Sequence, residues 1–268
     1  MNTRTACLLL CLLLCAVVAG AEVPPADEAA AAILARARAA SAAAHDKKML
    51  LTMRTTVPDG STLVRVLRGF EKHGAATVGA AAGTSRLWEF EAPADLAGTR
   101  FLALPGEGGA PEKLFVYFPQ QRRVRQIPPS LRREQFQGAL FTLEDSSVLA
   151  FDFSGTSRLE REEPCGRTTC SVVDVTLAPE SFSYGRLRLW IRADDLLADR
   201  IEFFDQADVV LKTLQLKASQ QLAGVATPTA MVMEASDAHR TEIELSGIEI
   251  NQPLDASLFT REHLARGQ

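Results

Sequence analysis

Ser85-Arg86-Leu87-Trp88-Glu89-Phe90-Glu91 puts Trp88 and Phe90 on one side of an extended chain and Glu89 and Glu91 on the other. The reason is geometric: successive side chains of a strand point to opposite faces. The same two-residue period returns far downstream, where Met231 and Met233 oppose Glu234, and Ile243 and Leu245 oppose Glu242 and Glu244. One face of the resulting sheet is greasy and the other wet. A sheet with an apolar face must roll up or be covered.

Working outward, segments of this character occupy residues 48–56 and 62–72, joined through the turn residues Pro58-Asp59-Gly60. Others follow at 85–91, 98–104 and 113–118, then at 122–127 beyond Pro119-Gln120-Gln121. The later ones are 149–160, 168–177, 186–192, 199–204, 209–219, 227–235 and 240–250. They read as an antiparallel meander of about ten strands.

Few covers are on offer. Residues 26–44 are dominated by alanine without an internal glycine or proline, which predicts one helix with Ala30, Leu34, Ala37, Ala40 and Ala44 on a thin apolar side. Between 128 and 148 the period breaks at Pro128-Pro129, and Leu131, Phe136, Leu140, Phe141 and Leu143 make the insert greasier than a solvated loop. A second short helix is expected at 260–264. The alternation alone leaves two readings open, a filled barrel or a partly open sheet around a plugged cavity.

The first residues carry Arg4, an apolar run from Ala6 to Val18 and the small residues Ala19-Gly20-Ala21, which read as an export signal cleaved after Ala21. Cys11 and Cys15 each follow a leucine, so a lipidation signal is not indicated, and residues 22–268 are expected to form a single periplasmic domain, monomeric. Cys165 and Cys170 would remain as a pair in an oxidising compartment, flanked by Pro164, Gly166 and Arg167, and are expected to form a disulfide across a tight connection. A net charge of −4 argues against nucleic acid as a partner.

Enzyme motifs are missing. The four histidines, His45, His73, His239 and His263, lie in no metal-ligand spacing, and no nucleophile elbow, phosphate loop or dinucleotide fingerprint occurs. No catalytic residue, cofactor or metal is therefore assigned. The adjacent acids Asp194-Asp195 and Glu144-Asp145 read as turn and surface residues. Arg122, Arg123, Arg125, Arg132 and Arg133 form a basic cluster that would meet a phosphate or acidic partner, or simply solvent.

The run from Gly98-Thr99-Arg100-Phe101-Leu102 through Phe115-Val116-Tyr117-Phe118-Pro119-Gln120-Gln121-Arg122-Arg123-Val124-Arg125-Gln126-Ile127 resembles the outer-membrane lipoprotein-sorting group related to the periplasmic lipoprotein carrier chaperone (LolA-like). The insert Arg133-Glu134-Gln135-Phe136-Gln137-Gly138-Ala139-Leu140-Phe141-Thr142-Leu143-Glu144-Asp145 is similar to that group's corresponding segment, as is the ending at Phe259-Thr260 and Leu264. At Ala139 and Leu140 a serine and an acid are usual, and at Leu143 an aromatic is common, so this insert is the greasier.

The resemblance implies an α+β, mainly β fold: an unclosed (half) antiparallel β-barrel whose concave apolar face is covered by an N-terminal helix and a helical or loop insert. It implies a carrier for the acyl chain of a lipid or lipoprotein, with an inner-membrane export pump as partner. On that expectation Trp88, Phe90, Phe101, Phe115, Tyr117, Met231 and Met233 line the cavity and Phe136, Leu140 and Phe141 form the gate. A one-residue slip of register would exchange Phe115 and Tyr117 for Leu114 and Val116. The rival reading is a lipid sensor or scaffold bound to an export complex. A tight polar cluster inside the cavity would favour an enzyme, and none is expected.

Overall fold

The computed structural model describes residues 27–74, 83–106, 112–128, 140–179 and 182–266. The strands are β1 (Asp46–Thr56), β2 (Thr62–Gly74), β3 (Gly83–Ala92), β4 (Arg100–Leu104), β5 (Lys113–Phe118), β6 (Arg123–Ile127), β7 (Gly155–Cys165), β8 (Thr168–Leu177), β9 (Arg186–Arg192), β10 (Ala198–Phe204), β11 (Val210–Leu222), β12 (Val225–Ala235) and β13 (Arg240–Ile250). They form one sheet of thirteen strands in the order β6-β5-β4-β3-β2-β1-β13-β12-β11-β10-β9-β8-β7. Each of the thirteen segments read from the sequence carries one of these strands, so the count is thirteen and not about ten. The last strand returns to pair antiparallel with the first, which leaves β6 and β7 as the two edges of an unclosed sheet.

The chain passes from one edge to the other through the insert, whose described part carries helix α2 (Leu143–Leu149). A strand starting at residue 149 was the expectation, and here the structure differs. Helix α2 ends at Leu149, and Phe151 adopts a left-handed φ of 54°, which an extended chain cannot hold. Strand β7 begins only at Gly155.

Helix α1 (Glu28–Ala42) is shorter than residues 26–44 because Asp27 caps it, its carboxylate accepting from the amides of Ala29 at 2.8 Å and Ala30 at 3.2 Å. Ala30, Leu34 and Ala37 are the buried positions, one and two turns apart on one side. Both ends of α1 are fastened. The Asp27 amide donates to Ser157 O at 3.0 Å on the β7 edge. At the other end the Asn251 side chain accepts from the His45 amide at 2.9 Å and donates to Ala43 O at 3.2 Å.

Large side chains divide by face. The inner face, under α1 and the insert, gathers Met49, Leu51, Met53, Leu67, Trp88, Phe90, Phe101, Met231, Met233 and Ile243 in one core with Ala30, Leu34, Phe141 and Phe151. On the outer face of β2 to β5, Phe70, Leu87, Leu102, Phe115 and Tyr117 pack against the chain end, a 3-10 turn (Ala256–Phe259) followed by α3 (Arg261–Arg266). Cys165 and Cys170 are bridged, with 5.7 Å between their Cα atoms, across the β7–β8 turn. The bridge packs with Val172 and Trp190, away from the inner face.

Candidate functional site

Along its C-terminal half α1 turns the small side chains Ala37, Ala40 and Ser41 toward the sheet, with Arg36 beside them, and leaves the space beneath it unfilled. A cavity of ≈ 400 Å³ lies there, a size ordinary for a small-molecule site. Its floor is Met49 and Leu51 of β1, Trp88 of β3, Met231 of β12, and Ile243, Leu245 and Ile248 of β13. Phe141, Leu149, Ala150 and Phe151 of the insert wall one side, and the turn at residues 193–197 and the β11–β12 end complete the rim.

The expected lining residues separate into three groups. Trp88 and Met231 stand on the cavity wall. Phe90, Phe101 and Met233 belong to the same inner core but are packed beyond it. Phe115 and Tyr117 are a correction: their side chains face outward and lie under the chain end, with Arg261 stacked 5.1 Å from the Phe115 ring centre and Arg100 4.7 Å from that of Tyr117. Val116 takes the inner side instead. Of the gate, Phe141 lines the cavity and Leu140 is buried in the inner core. Phe136, with Arg132 and Arg133, lies outside the described residues. Arg122, Arg123 and Arg125 are exposed at the β6 edge.

Polar groups hold the insert against the inner face. From α1, Arg38 Nε donates to Phe151 O at 2.8 Å and Nη2 to Phe153 O at 2.7 Å. Glu144 and Asp145 are not the surface acids expected, for both are buried. Asp145 Oδ2 accepts from Lys212 Nζ at 2.6 Å and from the Thr142 amide at 2.7 Å, and its Oδ1 from Tyr184 Oη at 2.8 Å. Lys212 Nζ also donates to Leu140 O at 2.9 Å. Burial, joined by the Asp145 carboxylate, pushes the Tyr184 phenol well above its ordinary value. Lys212 and Tyr184 come from 67 and 39 residues away, so no local motif announces this cluster.

A second polar row crosses the inner face at the end where α1 joins β1. Lys47 Nζ meets Glu71 Oε2 at 2.8 Å, and both line the cavity. Glu71 sits opposite Arg86 across β2 and β3. Arg86, fully buried, pairs with Glu112 Oε1 at 2.6 Å, and Glu112 Oε2 accepts from Ser147 Oγ at 2.9 Å. Burial opposes the charge on Arg86, yet Glu112, Glu71 and Asp152 together hold its pKa above the ordinary value. Burial also opposes the charge on Glu71, and Lys47 and Arg86 outweigh it to hold that carboxyl below its usual range.

Arg65 is buried with its Nε and Nη1 unpaired, and burial lowers its pKa. No group of three or more His, Cys, Asp or Glu side chains among the described residues is arranged to hold a metal ion. What the site offers is an apolar chamber with a charged row at one end, beneath covers fastened by hydrogen bonds and ion pairs.

No curated protein matches the sequence. Among solved structures, a DUF1329 family protein from Desulfovibrio piger superposes with a TM-score of 0.81 at 24% identity, over 90% of this chain and 99% of that one. A domain assigned to outer membrane lipoprotein sorting, from Vibrio parahaemolyticus, gives 0.79 at 21% identity over 89% and 99%. A LolA superfamily protein from Nitrosomonas europaea gives 0.68 at 18% identity over 87% and 98%. A family model described as an uncharacterized-protein family matches residues 82–266. The chain therefore belongs to the family that this model defines, and its fold is that of the outer membrane lipoprotein-sorting and LolA superfamily structures.

Proposed function

We propose that this chain is a carrier that takes one acyl chain of a lipid or lipoprotein into the cavity beneath α1 and gives it up to a greasier acceptor. The observation that carries the reading is the ≈ 400 Å³ chamber floored by Trp88, Met231 and Ile243 between α1, the insert and the sheet. A lipoprotein-sorting domain shares the fold, and the apolar leader at residues 1–21 fits export to the periplasm. On this reading an inner-membrane export complex is the donor and the outer membrane the destination.

Trp88 and Met231 contact the chain in the closed form. Phe90, Phe101 and Met233 are reached when the insert moves, and Leu140, Phe141 and Phe136 act as the gate. No covalent step is needed. Each methylene buried contributes about 0.8 kcal/mol, so a long chain is held firmly while a membrane or a larger apolar groove still outcompetes the site.

The test is native mass spectrometry of the full chain exported with its own leader and purified from the periplasm. The reading expects one bound acyl-bearing molecule, lost in Ala40→Trp, which fills the cavity from the partly exposed side of α1. Protein that is empty in both forms, or equally loaded in both, contradicts it.

A further inference from the structure

The inner face holds two buried arginines, and they differ. Arg86 has Glu112 at 2.6 Å. Arg65, 8% exposed on β2, makes no ion pair among the described residues, and its Nε and Nη1 are shielded from water without a hydrogen bond. Asp95, an exposed residue after β3, acts on it only from beyond ion-pair range. A guanidinium does not shed its proton to escape burial, so Arg65 remains a charge without a partner, a costly arrangement for a fold to keep.

Its place joins it to the cavity. Leu51 on the cavity floor stands opposite Leu67, and the next pair on that face, about 7 Å along the strands, is Met53 with Arg65. Met53, Leu67 and Phe90 make these surroundings apolar. The insert is pinned one pair further along: the Leu140 amide donates to Thr241 Oγ at 3.2 Å, and Thr241 Oγ lies 2.9 Å from Thr55 Oγ. At the opposite end Lys47 and Glu71 satisfy each other, so Arg65 is the charge left for a ligand to neutralise.

We propose that Arg65 anchors the oxyanion head, carboxylate or phosphate, of a single-chain amphiphile whose tail runs back over Leu67 and Leu51 into the cavity beneath α1. This rests on the acyl-chain reading above and adds the class of head and its direction. Release of Leu140 opens the way along the inner face. The head then supplies the acceptors that Nε and Nη1 lack.

The test compares three amphiphiles with the same tail on the delipidated full chain, by competition against a fluorescent fatty acid: a fatty acid, an alkyl phosphate and a fatty alcohol. A charge-assisted hydrogen bond in a buried site is worth about tenfold in affinity, so whichever acid is the natural head should exceed the alcohol by about that factor. The ranking of carboxylate against phosphate identifies the source. Arg65→Met should bring the acids down to the alcohol and, by removing an uncompensated buried charge, raise the urea midpoint of the empty chain. Asp95→Asn, a change at an exposed residue, removes a negative charge that opposes the head and should tighten the acids by up to about fivefold. Acids no tighter than the alcohol, a preference that survives Arg65→Met, or acids weakened by Asp95→Asn overturn the head-group site while the acyl-chain reading stands. Failure of every amphiphile to bind overturns both.

Discussion

The indole of Trp88 occupies the space that a side chain on Gly69 would need. The two residues are cross-strand partners on β3 and β2, and a Cβ at residue 69 would stand 2.2 Å from Trp88 Cζ3. The missing side chain therefore lets the ring lie flat on the sheet as cavity floor. Gly69→Ala must lift it. The variant should lose about 1–3 kcal/mol of stability from overpacking and bind acyl chains more weakly. Trp88→Leu in the same background should recover stability, measured by urea unfolding; no recovery would mean that the strain lies elsewhere.

Arg38 joins the two covers, since it sits on α1 and donates to the carbonyls of Phe151 and Phe153. Its replacement by Met keeps much of the aliphatic stem and removes both bonds. The loss should be about 1 kcal/mol, seen as roughly fivefold faster amide exchange along α1 and residues 150–153, with the rest of the sheet unchanged. Uniform acceleration throughout would show that α1 and the insert do not open separately.

Lys212 neutralises Asp145 where both side chains are nearly or fully out of water, at 8% and 0% exposure. Lys212→Met strands a buried carboxylate and should cost about 3–5 kcal/mol. Lys212→Met with Asp145→Leu should cost less than Lys212→Met alone, although the Tyr184 hydroxyl and the Thr142 amide then lose an acceptor. Additive losses in denaturant melts would argue against a coupled pair.

Tyr184 gives a pH signature. Its phenol is raised above the ordinary 10.0 by burial and the neighbouring Asp145 carboxylate. A group whose folded pKa exceeds its unfolded value contributes stability that is whole below about pH 10 and is lost as pH rises through the folded pKa. Alkaline unfolding of the native chain should therefore bring a tyrosinate absorbance step above pH 10 that is reduced in Tyr184→Phe, where Tyr117 alone remains. A step unchanged by that substitution contradicts the placement of Tyr184.

The strands were legible wherever one face is wet, as along residues 88–91, because alternation there reports burial directly. At β5 it failed: Leu114, Phe115, Val116 and Tyr117 are all buried, since α3 covers the face that solvent would have marked. Periodicity cannot choose a register when both faces are dry. Phe151 and Phe153 imitate a strand in spacing, but they are anchors of the covering segment, held by Arg38. The burial of Glu144 and Asp145 was illegible for another reason. The groups that make it tolerable, Lys212, Tyr184 and Ser183, arrive from other parts of the chain.

Two tryptophans make the central claim directly measurable. Trp88 lies on the cavity floor, whereas Trp190 packs beside the disulfide on the outer face, its indole donating to Glu163 at 2.6 Å. A fatty acid brominated along its tail, titrated into the delipidated protein, should quench the fluorescence of Trp190→Phe, which retains Trp88, and leave that of Trp88→Phe unchanged. Quenching of Trp190 alone, or of neither residue at saturating ligand, would contradict an acyl chain beneath α1.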